Sequence, residues 1–403
     1  MPVEQGVEIS SVGIKQKIAG FVLLTFIGYF CIGLPLAVLP IYIHKTLGYS
    51  ELTTGVVISL QYITTLLMRG YSGKIVDTRG PKLIVKLSMS GFALSGLLLL
   101  ISFYYQSIPA LSLLMLIITR LLTGCTEGMI GASPINWAML TLGDKHTATA
   151  ISFNGIASYG ALAVGAPLGV VCVQYGSLYS IAFITFLVGL IGWLYASSKK
   201  AVRPNKNKGD STSFFNVLRI VAPFGICLGL SAIGFGGISN FITLYYDYFH
   251  WTNAALCLTV FSVLFIFGRL FFAKYIDIKG GLQVGLICFI TELAGLIILF
   301  MASNSTLALL GSGITGFGFS LVFPALGVEA VRSAPSANAG AALAGYGLFI
   351  DLSLGVTGPM IGGVIHYAGM PWLFAFCALA MLSGLILLLS IMSKRESVST
   401  SLC

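Results

Sequence analysis

Residues 69–80 read RGYSGKIVDTRG and residues 269–280 read RLFFAKYIDIKG, the second segment lying 200 positions after the first. Arg69/Arg269, Lys74/Lys274, Asp77/Asp277 and Gly80/Gly280 are identical, and Tyr71/Phe271, Gly73/Ala273, Val76/Ile276 and Arg79/Lys279 keep size or charge. Each segment separates two long apolar stretches. A second pair lies at equivalent places further on. GALAVGAPLG at 160–169 resembles GVTGPMIGG at 355–363, with Pro167 and Pro359 followed by Gly169 and Gly362. The chain therefore reads as two related halves, residues 1–197 and 217–403. Between them residues 198–216 form a basic, proline-containing linker around KKAVRPNKNKGDSTS (199–213).

Hydrophobic residues make up 57% of the 403 residues and charged residues only 9%, against about 25% charged in ordinary globular proteins. A soluble surface of this size cannot be covered with so few charges, whereas lipid-facing helices need apolar exteriors. Apolar runs of about twenty residues, the length that crosses a bilayer as helix, fall near 18–42, 52–72, 83–104, 110–137, 148–174, 178–197, 217–249, 254–273, 282–302, 306–331, 338–367 and 371–393. These continuous runs exclude a transmembrane β-barrel, whose strands are short and alternating. The fold class expected is an all-α membrane protein with twelve transmembrane helices. Its 48 glycines suit close helix approach in lipid.

Basic residues give the orientation, because cytoplasmic loops carry the excess of Lys and Arg. With both termini inside, 20 of the 22 basic residues fall on the inner side, leaving Lys45 outside and Arg120 within a helix. This accounts for the +9 charge without a nucleic-acid partner; the partners expected are the lipid bilayer and a small solute. No cleavable signal peptide is apparent. Seven of the eight cysteines lie inside predicted spans and no pair has C-x-x-C spacing, so they read as small core residues, not metal ligands or disulfides. Gly311–Gly316 spells G-x-G-x-x-G within a membrane helix and follows no strand, so it is not a dinucleotide site.

Ionisable residues inside membrane helices are costly and mark function by default. Four lie deep within spans: Arg120, Glu127, Glu292 and Asp351. Arg120 and Glu127 are two turns apart on one helix face, roughly 10 Å. Glu127 is a candidate for taking up and releasing a proton, with Arg120 stabilising its ionised form or an anionic substrate. Asp351, in the other half, faces one of these across a central cavity or bonds near Ser353 or Tyr346. Glu329 is expected to pair with Arg332. The segment between the second and third spans (Arg69, Gly73, Asp77, Arg79, Gly80) and its partial repeat (Arg269, Asp277) read as charged loops whose glycines permit a tight turn and whose aspartate meets a helix N-terminus or a nearby arginine. The glycine-rich faces with Gly160, Gly165, Pro167 and Gly169, and with Gly355, Gly358, Pro359 and Gly362, read as packing or hinge surfaces. Polar residues within spans that are cavity candidates are Tyr29, Gln61, Asn136, Asn154, Tyr159, Asn240 and Tyr346. No nucleophile set and no metal-ligand cluster suggests an enzyme.

GKIVDTRGPK (73–82) resembles the signature loop of the major facilitator superfamily, G-x-x-x-D-x-[RK]-G-x-[RK], between that family's second and third helices. RLLTGCTEG (120–128) resembles its fourth-helix motif of an arginine followed by glycines, and Gly358-Pro359-Met360-Ile361-Gly362-Gly363 resembles the Gly-Pro element of its antiporter branch. The first-half copy departs from that element, reading Gly165-Ala166-Pro167. At finer grain, SFNGIASYGALAVGAPLG (152–169) and LVFPALGVEAV (321–331) resemble the YhhS/YfcJ group of bacterial efflux proteins. The resemblance implies two pseudo-symmetric six-helix bundles, a monomer in the bacterial inner membrane, and no cofactor beyond a proton gradient as energy source. It implies proton-coupled export by alternating access, with import of a sugar or organic acid as the alternative. It further implies that Arg120 takes part in proton coupling, that the 69–80 segment latches the inner gate, and that helix 9, with Glu292, is peripheral.

Overall fold

The computed structural model describes residues 11–142, 147–202, 214–334 and 339–401. Among them twelve helical spans are long and apolar enough to cross a membrane. They are α1 (Ser11–Leu36, continued by Leu39–Ile41 and a π-turn Tyr42–Thr46), α2 (Glu51–Arg79), α3 (Pro81–Tyr104), α4 (Pro109–Ile130, continued by Ser133–Leu142), α5 (Thr147–Tyr175), α6 (Leu178–Ser198), α7 (Phe214–Tyr248), α8 (Ala255–Phe272), α9 (Gly281–Phe300), α10 (Ser305–Phe319, continued by Val322–Ser333), α11 (Ala339–Ala368) and α12 (Leu373–Ser401). A short helix, Tyr275–Lys279, lies between α8 and α9. Most of the linker, residues 203–213, lies outside the described residues.

The interruptions follow from proline. A proline ring clashes with the carbonyl four residues earlier and removes an N–H from the ladder. Pro40, Pro134 and Pro324 place that clash at Leu36, Ile130 and Ser320, the last residues of α1 and of the first segment of α4 and the C-cap of the first segment of α10. Pro167 and Pro359 are instead carried inside unbroken helices, a tolerance common in membrane helices. At the α2–α3 and α8–α9 corners Gly80 and Gly280 both adopt φ 85°, a left-handed conformation that glycine enters without Cβ strain.

The sequence expectation of loops at the two repeats is corrected here. Helix α2 runs on to Arg79, so Arg69, Gly73, Asp77 and Arg79 are helical and Gly80 alone makes the turn. Arg269 is likewise within α8, and Asp277 lies in the short helix, exposed. The side chain of Asp77 lies outside the described ones.

The helices form two bundles, α1–α6 and α7–α12, that meet chiefly along α2 with α11 and α5 with α8. The α2–α11 seam is close: a Cβ on Gly55 would lie 2.3 Å from the Gly358 carbonyl oxygen, and one on Gly362 2.8 Å from the Leu52 Cα. Ser59 Oγ accepts from the Gly358 amide at 3.1 Å. Thr259 Oγ1 donates to the Ala163 carbonyl at 2.9 Å across the α5–α8 seam. Lys45 and Asp247 pair at 2.8 Å at the end where α2 begins. Cross-bundle bonds continue as far as Arg69 with Asp351. Gly70 and Gly73, just beyond on α2, face open space.

The two proline-containing glycine faces do different work. Gly165 and Gly169 receive Gly33 and Leu34 of α1, within their own bundle. Gly355, Gly358 and Gly362 receive α2 of the opposite bundle, while Gly160 makes only an ordinary contact with Ile266 of α8.

Candidate functional site

Helix α4 lies unusually close to α2. A Cβ on Gly124 would fall 1.9 Å from the Gln61 carbonyl oxygen and 2.0 Å from Thr64 Oγ1, so nothing larger than glycine fits without displacement. The seam is tied by Thr64 Oγ1 donating to the Leu121 carbonyl (3.0 Å) and Thr65 Oγ1 to the Gly124 carbonyl (3.1 Å). This proximity inserts the Gln61 side chain between the two charged residues of α4. Arg120 Nη1 donates to Gln61 Oε1 at 2.8 Å, and Gln61 Nε2 donates to Glu127 Oε2 at 2.8 Å. Guanidinium only donates and a carboxylate only accepts, so one amide orientation satisfies both. The Thr65 hydroxyl, on the next turn of α2, lies 3.1 Å from the same Glu127 oxygen. Arg120 is 3% exposed and Glu127 8%. The two are thus linked through Gln61 rather than by direct contact, and the bonded donors to Glu127 are neutral.

Asp351 lies within electrostatic reach of Glu127 across the bundle interface but is not bonded to it. Its partner is Arg69 of the other bundle: Arg69 Nη2 donates to Asp351 Oδ1 at 3.0 Å, and Arg69 Nε pairs with Oδ2. The carboxylate is 4% exposed and the guanidinium side chain 34%, so the pair has one buried and one wetter member. Tyr29 on α1 lies within electrostatic reach of Glu127, Arg69 and Asp351. The side chains from α1, α2, α4 and α11 therefore converge on one region at the bundle interface.

The remaining candidates divide. Asn154 accepts from Thr25 Oγ1 (2.6 Å) and donates to the Gly131 carbonyl (3.2 Å), joining α1, α4 and α5. Tyr159 stacks on Phe265 with ring centroids 3.8 Å apart, bridging the α5–α8 seam. Asn136 is half-buried on the second segment of α4. Asn240 is buried with its Nδ2 unpartnered. Tyr346 is not at the cavity: it is fully buried and donates to the Phe323 carbonyl of α10 at 3.2 Å. Glu329 pairs with Arg395 at 2.5 Å as well as with Arg332 at 3.4 Å. Glu292 is fully buried, accepts from Ser231 Oγ at 2.6 Å, and leaves Oε1 without a partner. Thr65 was missed by sequence reasoning, although its spacing of four from Gln61 places both on one α2 face. Among the described residues no group of His, Cys, Asp and Glu could hold a metal ion.

The family model of the Major Facilitator Superfamily matches residues 21–356 and, in a second match, 224–401. An uncharacterized MFS-type transporter of Pseudomonas aeruginosa (strain UCBPP-PA14) is 47% identical over 378 residues, 94% of this chain and 94% of that protein. One of Burkholderia pseudomallei (strain 1106a) is 43% identical over 386 residues, 96% of this chain and 94% of its own length. Among solved structures, a mutant form of the nucleoside transporter NupG superposes with a TM-score of 0.73 at 15% identity, covering 94% of this chain and 99% of that one. The human organic anion transporter MFSD10 superposes with a TM-score of 0.65 at 14% identity, covering 93% and 99%. At those identities the likeness concerns the fold. With twelve spans in two bundles, a family match along nearly the whole chain and relatives aligned end to end, the protein belongs to the major facilitator superfamily of transporters.

Proposed function

We propose that this transporter is a proton-coupled exporter of a small organic solute, working as an antiporter in the bacterial inner membrane, with Glu127 as the proton site. One observation carries the reading. Glu127 is a carboxylate buried at the bundle interface and held by neutral donors, Gln61 and Thr65, with no Lys or Arg directly bonded to it among the described residues. A carboxylate so placed gains or loses a proton without breaking an ion pair, and an intramembrane acid of this kind is the usual element of a proton relay. Arg120, one amide away, keeps a positive potential at the site when the proton leaves.

The Arg69–Asp351 pair joins the two bundles and acts as the switch. Protonating Glu127 raises the local positive charge, which strengthens the demand for Asp351; releasing the proton lowers it. Rocking of the bundles then makes or breaks the pair. With both termini on the cytoplasmic side, the contacts from Lys45–Asp247 to Arg69–Asp351 close the outer face. The open space at Gly70 and Gly73 belongs to a cleft facing the cytoplasm. Export is the favoured direction because the Gly358–Gly363 element and the segments 152–169 and 321–331 resemble those of the antiporter branch and the YhhS/YfcJ group.

The test uses everted membrane vesicles with an acidified interior and a panel of organic acids, amines and neutral solutes. Addition of a transported solute is expected to collapse the pH gradient for the wild-type protein and not for Glu127→Gln. Glu127→Gln should retain solute exchange in the absence of a gradient. Solute-induced alkalinisation on the opposite side instead supports symport. Full gradient-driven transport by Glu127→Gln removes Glu127 from the coupling.

A further inference from the structure

The repeat relates individual side chains of the two bundles, and the comparison exposes an unmatched charge. A Cβ on Gly124 would meet the carbonyl of Gln61 at 1.9 Å, and one on Gly316 would meet that of Phe261 at 2.2 Å. Gln61 and Phe261 are 200 residues apart, as Arg69 and Arg269 are. Three residues beyond those glycines stand Glu127 and Phe319; eight residues before Pro359 and Pro167 stand Asp351 and Tyr159. The polar set Gln61, Glu127 and Asp351 is therefore replaced in the second half-site by Phe261, Phe319 and Tyr159. Arg69 is kept as Arg269, whereas Arg120, four residues before Gly124, is matched by Ser312, four before Gly316.

Arg269 consequently lacks what Arg69 has. Where Asp351 meets Arg69, a tyrosine stands, and among the described residues no Asp or Glu forms an ion pair with Arg269. Its guanidinium lies over the Phe265 ring, 5.0 Å from the centroid. It reaches across the seam to α5, where Nη1 would be 1.9 Å from a Cβ on Gly155. Tyr159, from the first bundle, lodges its ring against Phe265 (3.8 Å), Phe235 (5.7 Å), Phe261 (6.4 Å) and Phe319 (6.4 Å). A half-buried cation without a counter-ion is costly. A guanidinium presents a planar fork that matches a carboxylate, and aromatic walls favour a stacked ring.

We infer that Arg269 and the aromatic cluster around Tyr159 form the substrate site, and that the cargo is an aromatic organic anion whose carboxylate pairs with Arg269 while its ring stacks on Phe265. Tyr159 belongs to the opposite bundle, so its stack is made and lost as the bundles move, and the substrate ring takes its place on Phe265. The two half-sites divide the labour: the first handles the proton, the second the anion. This rests on the transport reading above but not on proton coupling through Glu127.

The experiment measures binding to the purified full-length protein in detergent by titration calorimetry. The probes are 2-naphthoate, its uncharged analogue 2-naphthamide, and the non-aromatic cyclohexanecarboxylate. Wild-type protein is expected to bind 2-naphthoate at least about tenfold more tightly than either control, the discrimination of one charge-assisted pair. Arg269→Gln should abolish the preference over the amide, and Arg269→Lys should retain part of it. Gly155→Ala, which favours helix and displaces the guanidinium, should weaken 2-naphthoate and leave the amide unchanged; it decides the matter if Arg269→Gln does not fold. Equal binding of acid and amide by the wild-type protein, absence of 2-naphthoate binding, or a preference that survives both Arg269→Gln and Gly155→Ala overturns the inference. Binding is measured in detergent with no pH gradient, whereas coupling is read from gradient collapse in vesicles, so loss of anion recognition and loss of proton coupling are read separately.

Discussion

Gln61 joins Arg120 to Glu127 through one amide, and the arrangement has a measurable consequence. Gln61→Ala leaves a buried guanidinium and a buried carboxylate each short of a partner, at a cost of about 1–3 kcal/mol per orphaned group. Thermal unfolding of the purified variant should shift downward, and gradient-driven transport should fall while solute exchange persists. Gln61→Glu, which can still accept from Arg120 but places a second acid beside Glu127, should be worse for coupling than Gln61→Ala if the relay depends on a single negative charge. The Arg69–Asp351 pair makes a different prediction. Asp351→Asn removes the charge that Arg69 meets across the seam, and loss of one partner of a buried pair costs up to roughly 3–5 kcal/mol. The wetter environment of Arg69 puts this case toward the lower end. Transport should be lost in Asp351→Asn and in Arg69→Gln, and restored in part when the charges are exchanged in Arg69→Asp with Asp351→Arg. No recovery in the exchanged variant would argue that each residue acts separately.

At the scale of elements, approach distance sets what the helices can do. The α2–α11 seam depends on Gly55 and Gly358 lying backbone to backbone, and a Cβ on Gly358 would stand 2.1 Å from Ser59 Oγ. Gly358→Ala is therefore an overpacking change, costing about 1–3 kcal/mol in the facing state in which the seam is closed. Under the proposed alternating access the opposite state opens that seam, so the variant should shift the population rather than unfold the protein. Bifunctional thiol cross-linking of cysteines placed at Lys45 and Asp247, which meet at the closed end, should drop in a Gly358→Ala background, while the thermal midpoint changes little. The α2–α4 seam lies inside one bundle, so Gly124→Val should instead lower the thermal midpoint and disconnect Gln61 from Glu127. The two glycine seams, alike in sequence terms, are thus predicted to fail in different ways.

For the whole molecule, contact is unevenly distributed along the axis. Lys45 and Asp247 close one end, and Gly70 and Gly73 face open space toward the other. In a background lacking the native cysteines, Gly73→Cys should react with a membrane-impermeant maleimide in everted vesicles and resist it in intact cells. The reverse pattern would invert the proposed orientation. A bis-methanethiosulfonate cross-link between Lys45→Cys and Asp247→Cys should lock the closed end and stop transport reversibly, with reductant restoring it.

Residues 69–80 and their repeat at 269–280 carried the division into halves, and the twelve apolar runs carried the class of fold, because a bilayer imposes length and hydrophobicity on each span separately. Such constraints act within about twenty residues and are written locally. The break points at Pro40, Pro134 and Pro324 belong to the same local chemistry, as do the turns at Gly80 and Gly280. Tertiary structure decided what the polar residues do. Nothing in the order of residues says that Arg69 leaves its own segment to meet Asp351, 282 positions away, or that Gln61 rather than Asp351 stands beside Glu127. Nor does the repeat itself reveal that Tyr159 stacks on Phe265 across the α5–α8 seam, since that depends on which helices touch. Pairing across a membrane interface depends on approach distances of tenths of an ångström between helices far apart in sequence, and only the assembled bundles set them.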